Sequence, residues 1–438
     1  MAAIKFPGPA GRVWTTVKFM RDPFSSYREW KRKYGNTFLI KALNGNVIAT
    51  CDPNNIERIF SLPTEHLTQF ATKTIRPLIG ESSLFVIDGN RHKQQRKILT
   101  SCFRKGYDRS QAQLMEQICI NAAKNWTEKS EVKMMDSALD VSLEVIVRLV
   151  FGFQDPQEIE NVQLAVKQYV DSFHPSLAFS RIFHRPLLGL SPWVRFRNSR
   201  FQLHQLLDEE MARRKRSEDF GTDLLSQLLL SEDDHGCPVN QSQIRDHMVA
   251  MLLAGHETTQ IAIAWAMSWL HRHPNCLQRL RDELGDHDVQ KCVRNEYLVG
   301  VCNEALRLNS VVSDTVRQLK VPLELVEGVV PAGSNLAVSI CLVHEDPELY
   351  PNPFEFQPER WSSIRPGPNE FLPFGGGIRR CPGASLAMLE LRTVVATWIR
   401  NFDFRLPDDA PEKESVYRRN ITMAPVSGIP LILEGRLG

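Results

Sequence analysis

The chain has 438 residues, of which 42% are hydrophobic and 24% charged, and its formal net charge is +2. This is the composition of an ordinary globular protein, and so balanced a charge gives no reason to expect nucleic-acid binding. Residues 1–23 carry charges every few positions and contain no apolar run typical of a secretory leader or a membrane span. We therefore expect a cytoplasmic protein without a membrane anchor.

The predicted elements are mainly helical with a minor β part. Apolar residues at spacings of three and four predict helices through most of residues 105–284. Short strands and one charged helix precede this stretch, and alternating patterns predict strands after it. In chain order these elements are a helix at 27–34 and strands at 37–40, 46–50, within 321–338 and within 421–433. Because no repeat or linker divides the chain, we expect a single domain covering residues 1–438.

The clearest element is a long helix that begins after Asn240, with Gln243 in the capping-box position, and extends to His271. Its predicted length is about 31 residues, or ~46 Å. The helix is apolar on all sides except at its centre, where residues 256–260 are polar. Polar groups at that depth argue against a membrane span. The pattern instead predicts a helix buried through the core, next to a site.

Nine cysteines are scattered along the sequence, and no pair has CxxC spacing. This excludes a zinc ribbon and a thioredoxin-like motif, and a chain of this length needs no disulfide framework. We expect eight of them to be reduced thiols, namely Cys51, Cys102, Cys119, Cys237, Cys276, Cys292, Cys302 and Cys341. The ninth, Cys381, stands in a different context.

Cys381 follows three consecutive glycines and two arginines, and an apolar helical pattern begins shortly after it. Glycines permit unusual backbone angles and close approach to a flat ligand. Arg379 and Arg380, together with the positive end of the following helix, favour a thiolate. A thiolate in this place could be a nucleophile or a metal ligand.

The segment from Phe374 to Gly383 resembles the cytochrome P450 signature F-x-x-G-x-R-x-C-x-G at every fixed position. The resemblance implies the P450 fold, haem b as cofactor, and Cys381 as the axial thiolate that favours O–O cleavage. It also implies that Phe374 packs near the cysteine side of the haem and that Arg379 pairs with a propionate. Gly375 and Gly383 are the other haem-binding candidates in this loop.

Two further motifs follow the family's order. Glu304 and Arg307 resemble the E-x-x-R pair, whose members share a helix face, and Arg360 lies in a Pro-Glu-Arg-Trp segment whose arginine joins that pair. The implied role of this network is structural, since buried charges need partners. One departure is the run 308–315, which lacks the proline-containing turn common in the family and leaves the conformation of this segment open.

Residues 254–259 resemble the family's oxygen-binding motif on the long helix. Gly255 is expected to let a planar ligand approach, and Ala254 to lie beside it. Thr258 can bond to a carbonyl one turn back and open the helix locally, leaving room for water. By resemblance, Thr258 steadies the reduced oxygen and Glu257 helps to deliver protons. His256 is interpreted as a packed histidine and not as an iron ligand.

Three more cations are candidates for the haem propionates. His92 and Arg96 are four residues apart and share a helix face, which suits a pair of carboxylates. Many family members have Trp in place of His92, so Arg96 is the stronger candidate. Arg317, after the strand-like Val316, matches another propionate-binding arginine.

The substrate is expected to be hydrophobic because the residues carried over from the family's substrate-contacting segments are apolar. A terpenoid or steroid and a fatty acid remain equally open. Arg76 could pair with a carboxylate or could equally be an exposed residue. The candidate wall is formed by Leu84, Phe85, Ala250, Ala254, Val311, Val312 and Met423. The resemblance covers about residues 7–433.

The resemblance further implies NAD(P)H-derived electrons delivered by a separate ferredoxin or flavodoxin with its reductase, and dioxygen as co-substrate. Basic residues could form a docking face for such an acidic partner, or could simply be solvated. They are Arg91, Lys93, Lys97, Arg104, Lys105 and Arg380. Two other functions stay open: a peroxide-driven haem enzyme of the same fold and a haem-binding sensor without catalysis.

Overall fold

The computed structural model describes residues 5–43, 45–70, 72–105, 109–172, 177, 184, 191–233, 236–419 and 421–437. For residues 73, 74, 102–105, 109 and 110 it describes the backbone alone. The fold is mainly α with small sheets, as the sequence predicted. The first eight α-helices, α1 to α8, span Arg12–Arg21, Pro23–Tyr34, Pro53–Phe60, Thr72–Ile79, Gly89–Lys105, Arg109–Ala122, Met134–Val145 and Pro156–Asp171. Later helices span Pro192–Ser217, Leu224–Leu229, Gln241–Arg272, Pro274–Leu284, Val289–Cys292, Glu296–Leu308, Ile340–His344, Arg360–Ser363 and Ala384–Asn401.

The described strands form four small sheets. Strands β1 to β12 span Thr37–Ala42, Gly45–Thr50, Leu67–Gln69, Glu131–Lys133, Asp314–Leu319, Leu323–Leu325, Gly328–Val330, Asn335–Ser339, Phe402–Arg405, Val416–Arg419, Thr422–Pro425 and Pro430–Arg436. The largest sheet has the order β1-β2-β8-β5-β3, and β2 pairs with β8 in parallel while its other pairs are antiparallel. The others are β4-β12-β9, β10-β11 and β6-β7.

The chain divides into two compact units. Unit 1 consists of Met1–Phe70, Ala112–Asp140 and Thr258–Gly438, and unit 2 of Ala71–Gln111 and Val141–Glu257. Nothing in the composition signals this division, and the single domain over residues 1–438 stays a prediction. The boundary falls within the long helix Gln241–Arg272.

Unit 1 contains every strand of the four sheets. Its N-terminal core is aromatic: Tyr27, Trp30 and Phe38 are buried with ring centroids 6.1–6.4 Å apart. Such rings bury large apolar areas and fix the position of α2 against β1. The strands predicted at 37–40 and 46–50 are confirmed, and the helix predicted at 27–34 begins four residues earlier because Asp22 caps it and Pro23 occupies its first position.

Unit 2 is helical and contains one π-turn, Ile146–Val150. The N–H of Phe151 donates to the Ile146 carbonyl at 3.0 Å, which closes this wider turn. Arg214 is buried and compensated, because it bonds to Glu210 at 2.5 Å, to Asp223 at 2.7 Å and to the Phe151 carbonyl at 2.8 Å. These contacts tie the π-turn to the helix Pro192–Ser217.

The long helix has the start that the sequence predicted and ends one residue later. The Asn240 side chain accepts from Ser242 N–H at 2.8 Å, and the Gln243 side chain accepts from Asn240 N–H at 3.2 Å. Within the described residues, no helix has a stretch that is both long and apolar enough to span a bilayer. Strand β4, Glu131–Lys133, interrupts the stretch predicted to be mostly helical because it pairs with β12 from the far end of the chain.

Candidate functional site

Cys381 lies in a loop, three residues before the first residue of the helix Ala384–Asn401. The loop closes on itself, since the Cys381 N–H donates to the Phe374 carbonyl at 2.9 Å. Cys381 is exposed, and Gly383 is the N-cap residue of the helix that begins at Ala384. The thiol therefore stands in the open at the positive end of a helix, the environment that the sequence predicted for a thiolate.

The glycines before Cys381 serve packing as well as backbone freedom. A Cβ on Gly376 would lie 2.3 Å from the Phe60 ring, and one on Gly377 would lie 2.5 Å from the Phe60 carbonyl oxygen. Gly377 and Gly375 have φ of +64° and +66°. Only Gly375 has open space where a side chain would stand. The sequence analysis explained the glycines by close approach to a flat ligand. The structure gives another reason for Gly376 and Gly377, which is that they leave room for Phe60.

Two of the predicted propionate ligands, Arg317 and Arg379, act on each other within unit 1. Arg317 lies on β5 and is buried, and its guanidinium donates to the Val316 carbonyl at 3.0 Å. Burial and the positive charge of Arg379 lower the pKa of Arg317 to about 10. Among the described residues no carboxylate forms an ion pair with Arg317. This arrangement is suited to an anion supplied from outside the polypeptide.

Glu304, Arg307 and Arg360 form one buried network. The Glu304 carboxylate accepts from Arg307 at 2.8 and 2.9 Å, from Arg360 at 2.9 Å and from the Trp361 indole at 2.9 Å. Both side chains of the Glu304–Arg307 pair are fully buried. Further guanidinium N–H groups donate to the carbonyls of His344, Pro351, Asn352, Pro353 and Glu355. Two guanidiniums share one carboxylate, so the network keeps a net charge of +1, which the surrounding carbonyl dipoles stabilise.

His344 connects this network to the cysteine loop. It is fully buried, and its Nε2 accepts from the Leu372 N–H at 2.8 Å. Nδ1 must then carry the hydrogen, which it donates to Ser310 Oγ at 2.9 Å. Burial, and next the charge of Arg307, lower the pKa of His344 to about 3, so the ring is neutral. The sequence analysis did not identify His344, because no local pattern shows which distant groups it meets.

In unit 2, the predicted propionate helix α5 is fixed by a buried hydrogen bond. His92 is buried and Arg96 partly buried. The Nε2 of His247 donates to Gln95 Oε1 at 2.7 Å. The His247 ring is neutral because burial, and next the charge of Arg91, lower its pKa to about 4. His247, another residue that the sequence analysis missed, thus links α5 to the start of the long helix.

The oxygen-motif residues Ala254, Gly255, Glu257 and Thr258 are all partly buried. A Cβ on Gly255 would lie 3.2 Å from the Ile146 Cδ1, so the π-turn occupies the side where a side chain would project. This packing, and not only approach of a ligand, requires a small residue at position 255.

The helix Gln241–Arg272 continues through Thr258, and the local opening expected there stays a prediction. His256 is buried and its Nδ1 donates to the Leu252 carbonyl at 2.7 Å. It is therefore the packed histidine that was expected.

The candidate wall residues are described for each unit. In unit 1, Val311 and Met423 are buried, and the Met423 N–H donates to the Val311 carbonyl at 2.8 Å, which brings the two segments together, while Val312 is partly buried. In unit 2, Leu84 and Ala250 are buried, whereas Phe85 is 42% exposed. Phe85 therefore differs from the other wall candidates in facing solvent.

Comparison with known proteins decides the family. A model of the cytochrome P450 family matches residues 5–430. The chain belongs to the cytochrome P450 family. It is 29% identical to cytochrome P450 135A1 of Mycobacterium tuberculosis, covering 99% of this chain and 96% of that protein. It is 28% identical to cytochrome P450 138 of the same organism, covering 92% and 90%.

A solved structure, described as a retinoic acid bound cyanobacterial CYP120A1, superposes with a TM-score of 0.82 at 24% identity and covers 96% of each chain. This likeness confirms the P450 fold. Family membership makes the protein a haem-thiolate monooxygenase that needs dioxygen and a source of electrons.

The residues present fit haem. A thiolate ligand requires one accessible cysteine, and Cys381 is exposed at the end of its loop. The haem propionates require cations, and the buried Arg317 beside Arg379 lacks a carboxylate partner among the described residues. No cluster of three or more histidine, cysteine or acidic residues offers another metal site in the described part of the chain.

The proposed docking residues are only partly described. Arg91, Lys93 and Lys97 are exposed on α5, and Arg91 also donates to Ser82 Oγ at 2.7 Å. Arg380 is exposed in the cysteine loop. The side chains of Arg104 and Lys105 lie outside the described residues, so their place on such a face stays a prediction.

Proposed function

We propose that this P450 inserts one atom of dioxygen into a hydrophobic small molecule of the terpenoid, steroid or fatty-acid class. The other oxygen atom leaves as water, and the electrons come singly from NAD(P)H through a separate ferredoxin or flavodoxin and its reductase. The observation that carries the chemistry is the exposed Cys381 thiol just before a helix, in the same unit as the buried Arg317 and the partly buried Arg379 beside it.

In this proposal, Cys381 holds the iron, and Arg317 and Arg379 neutralise propionate charge, with His92 and Arg96 serving the same purpose from unit 2. Haem, when bound, supplies the activation of dioxygen. Further residues lie against the ring and exclude water from it. They are Phe374, Gly375, Gly383, Ala254 and Gly255.

Glu257 and Thr258 are proposed to move protons to the place where oxygen is reduced. They are adjacent on the long helix and both partly buried, so each is shielded from bulk water but not sealed. A carboxyl group can exchange protons with solvent, and a hydroxyl group can pass one on while remaining hydrogen-bonded. Replacing Thr258 by Ala should leave substrate binding unchanged and raise the share of electrons lost to peroxide.

The substrate class rests on the apolar character of Leu84, Ala250, Val311 and Met423, all of which are buried. Apolar walls favour ligands with little polar surface. Arg76 on α4 offers a carboxylate partner if the ligand is an acid. The exposed Phe85 is the wall residue with most freedom to adapt to a ligand.

The electron donor is proposed to be acidic, since Arg91, Lys93, Lys97 and Arg380 are exposed cations. Attraction between opposite charges speeds association and weakens with salt. Reduction by ferredoxin or flavodoxin should therefore slow as ionic strength rises, and more so in wild type than in a Lys93→Glu/Lys97→Glu variant. A rate that does not depend on salt would contradict a charged docking face.

The deciding experiment is the carbon monoxide difference spectrum of the reduced protein, followed by ligand titrations. A long-wavelength Soret band, lost in Cys381→Ser, is expected from thiolate ligation. The same sample is then titrated with fatty acids, terpenoids, steroids and retinoic acid, and binding is read from the spin-state shift. Turnover with peroxide alone, and none with donated electrons, would favour the peroxide-driven enzyme. Haem binding without turnover of any kind would favour the sensor.

A further inference from the structure

The helix α1, Arg12–Arg21, exposes an apolar face to solvent. Trp14 is 69% exposed, Val13 63%, Val17 52% and Met20 37%. Large apolar side chains scattered singly over a surface need no explanation, but several on one short helix do. We propose that this face docks on the surface of an anionic lipid bilayer.

The exposed residues form one stripe. At 100° per residue, Met20, Val13, Val17 and Trp14 fall within an arc of about 120° on the helix. The opposite side of α1 packs on unit 1, because Thr15 is buried and Phe19 stacks on Trp30 with ring centroids 6.0 Å apart. One side of α1 therefore packs on unit 1, and its solvent-facing side carries an additional apolar stripe.

A fifth apolar side chain extends the stripe. Leu43, in the turn after β1, is 62% exposed. Its backbone N–H donates to Thr16 Oγ1 at 2.9 Å, which holds the turn beside α1 next to the position of Met20. We call Val13, Trp14, Val17, Met20 and Leu43 the α1 patch. Because the patch spans a helix and a separate turn, it is a surface and not the edge of one element.

The charge around the α1 patch favours an anionic occupant. Along the sequence, the segment from Lys5 to Leu43 contains nine lysines and arginines and two carboxylates, a net charge of +7 in a chain whose net charge is +2, although Arg28 pairs with Glu345 from outside the segment. Arg21 lies inside the arc of the patch and is exposed, and Lys41 is exposed two residues before Leu43. Lys18, at the border of the arc, is paired with Glu29. Each basic residue near an anionic membrane strengthens its binding.

A bilayer suits this combination better than a protein does. A second copy would bring the same excess of positive charge against the first, and like charges oppose such a pairing. A membrane surface accepts apolar side chains between its acyl chains and cations among its headgroups at the same time, and tryptophan favours that boundary. The patch would place the protein on the membrane without a spanning helix.

The test is flotation of the haem-loaded protein with lipid vesicles. Wild type should float with vesicles of phosphatidylcholine and phosphatidylglycerol, and far less with phosphatidylcholine alone. The Trp14→Ser/Val17→Ser variant should bind about tenfold more weakly, since it removes apolar area that would enter the membrane. Arg21→Glu and Lys41→Glu should each weaken binding about fivefold or more, because each reverses a charge near the surface.

The matched control is Leu164→Ser, which removes an apolar side chain that is 57% exposed on α8 in unit 2. It should float like wild type. Flotation absent in wild type, or lost equally in the control, overturns the proposal. A dimer in sedimentation that Trp14→Ser/Val17→Ser abolishes would assign the patch to a second copy and overturn it too. The carbon monoxide spectrum should be unchanged in all variants, which separates this test from that of the proposed function.

Discussion

Unit 1 contains two buried arginine clusters that differ in their counter-charges. Arg307 and Arg360 converge on the Glu304 carboxylate at 2.8–2.9 Å. Arg317 instead meets Arg379, a like charge, and its pKa falls to about 10. Desolvation opposes the charge in both places, but Arg307 and Arg360 face a carboxylate, whereas Arg317 has no carboxylate ion-pair partner among the described residues.

The difference separates stability from function. A cluster completed by the chain itself holds the fold in any state of the protein. A cluster of like charges is unfavourable until an anion joins it, so it is suited to holding a ligand such as a haem with two propionates. Removing the shared Glu304 carboxylate should therefore destabilise the fold, whereas removing Arg317 should mainly weaken ligand binding, and the following predictions test that contrast.

The largest effect is expected for Glu304→Ala. The change leaves two buried guanidiniums, the Trp361 indole and the Gln357 N–H without their acceptor. We expect the free energy of unfolding to fall by about 3–5 kcal/mol. Urea denaturation of the haem-loaded protein measures it.

Glu283→Ala is the control for that loss. Glu283 pairs with Arg279 across one helical turn at the surface, where an ion pair contributes about 0.5 kcal/mol. An equal decrease in the free energy of unfolding in the two variants would contradict the distinction between the buried Glu304 cluster and an ordinary surface ion pair.

His344 makes the same cluster sensitive to acid. Its folded pKa is lowered to about 3, while the ordinary histidine pKa is 6.5. Between these two values the unfolded chain binds the proton and the folded one does not. The free energy of unfolding should therefore fall as pH drops from 6.5 toward 3, by up to about 4 kcal/mol. Burial also lowers the pKa of His247 and the pKa of His271 to about 4. These two histidines should therefore add to the fall in the free energy of unfolding between pH 6.5 and 4.

His344→Gln isolates the part due to His344. Glutamine does not titrate and can still accept from the Leu372 N–H. Stability at neutral pH should drop by about 1 kcal/mol through loss of the Ser310 bond, and the slope against pH below 6.5 should become shallower. An unchanged slope in His344→Gln would mean that the ring binds its proton as readily in the folded chain as in the unfolded one.

Arg317→Leu probes the second cluster. Without haem, its free energy of unfolding should stay within about 1 kcal/mol of wild type or rise, because a buried charge facing a like charge is removed. With haem, affinity should fall about tenfold through loss of a charged hydrogen bond. Chemical denaturation of the haem-free protein and the rate of haem transfer to a scavenging protein measure the two effects. A loss of stability as large as in Glu304→Ala would mean that Arg317 stabilises the fold itself and does not serve mainly to bind an anion.

Local signals in the sequence predicted much of the fold and the loop. The cap at Asn240 and Gln243 depends on residues three positions apart, and the structure has it at the predicted residues. The place of Cys381 before a helix depends on its immediate neighbours as well. The family resemblance then supplied the fold class and the cofactor.

Features that depend on distant partners were not predictable. Strand β4 exists because β12 pairs with it, and its own three residues carry no such signal. The glycines at 376 and 377 are explained by Phe60, which no local pattern places beside them. His344 acquires its role from Leu372 and Ser310, which are remote in sequence.

The smallest expected effect concerns Gly255, where packing and ligand approach compete as explanations. Alanine is favoured over glycine in a helix by about 1 kcal/mol. The new Cβ would lie 3.2 Å from the Ile146 Cδ1, so that methyl group must move. The gain in helix propensity and the cost of moving the Ile146 methyl group are similar in size. Gly255→Ala should therefore change the free energy of unfolding by less than about 1 kcal/mol.

Ile146→Val decides between the explanations, because it removes the methyl group that an alanine side chain at position 255 would meet and leaves the helix unchanged. In that background Gly255→Ala should stabilise the protein by about 1 kcal/mol, and the two substitutions should be coupled in a double-mutant cycle. Haem affinity should then be the same with glycine and with alanine. If alanine instead lowers haem affinity equally in both backgrounds, the space beside residue 255 belongs to the cofactor, and approach of the ligand, not packing against Ile146, is what requires a glycine there.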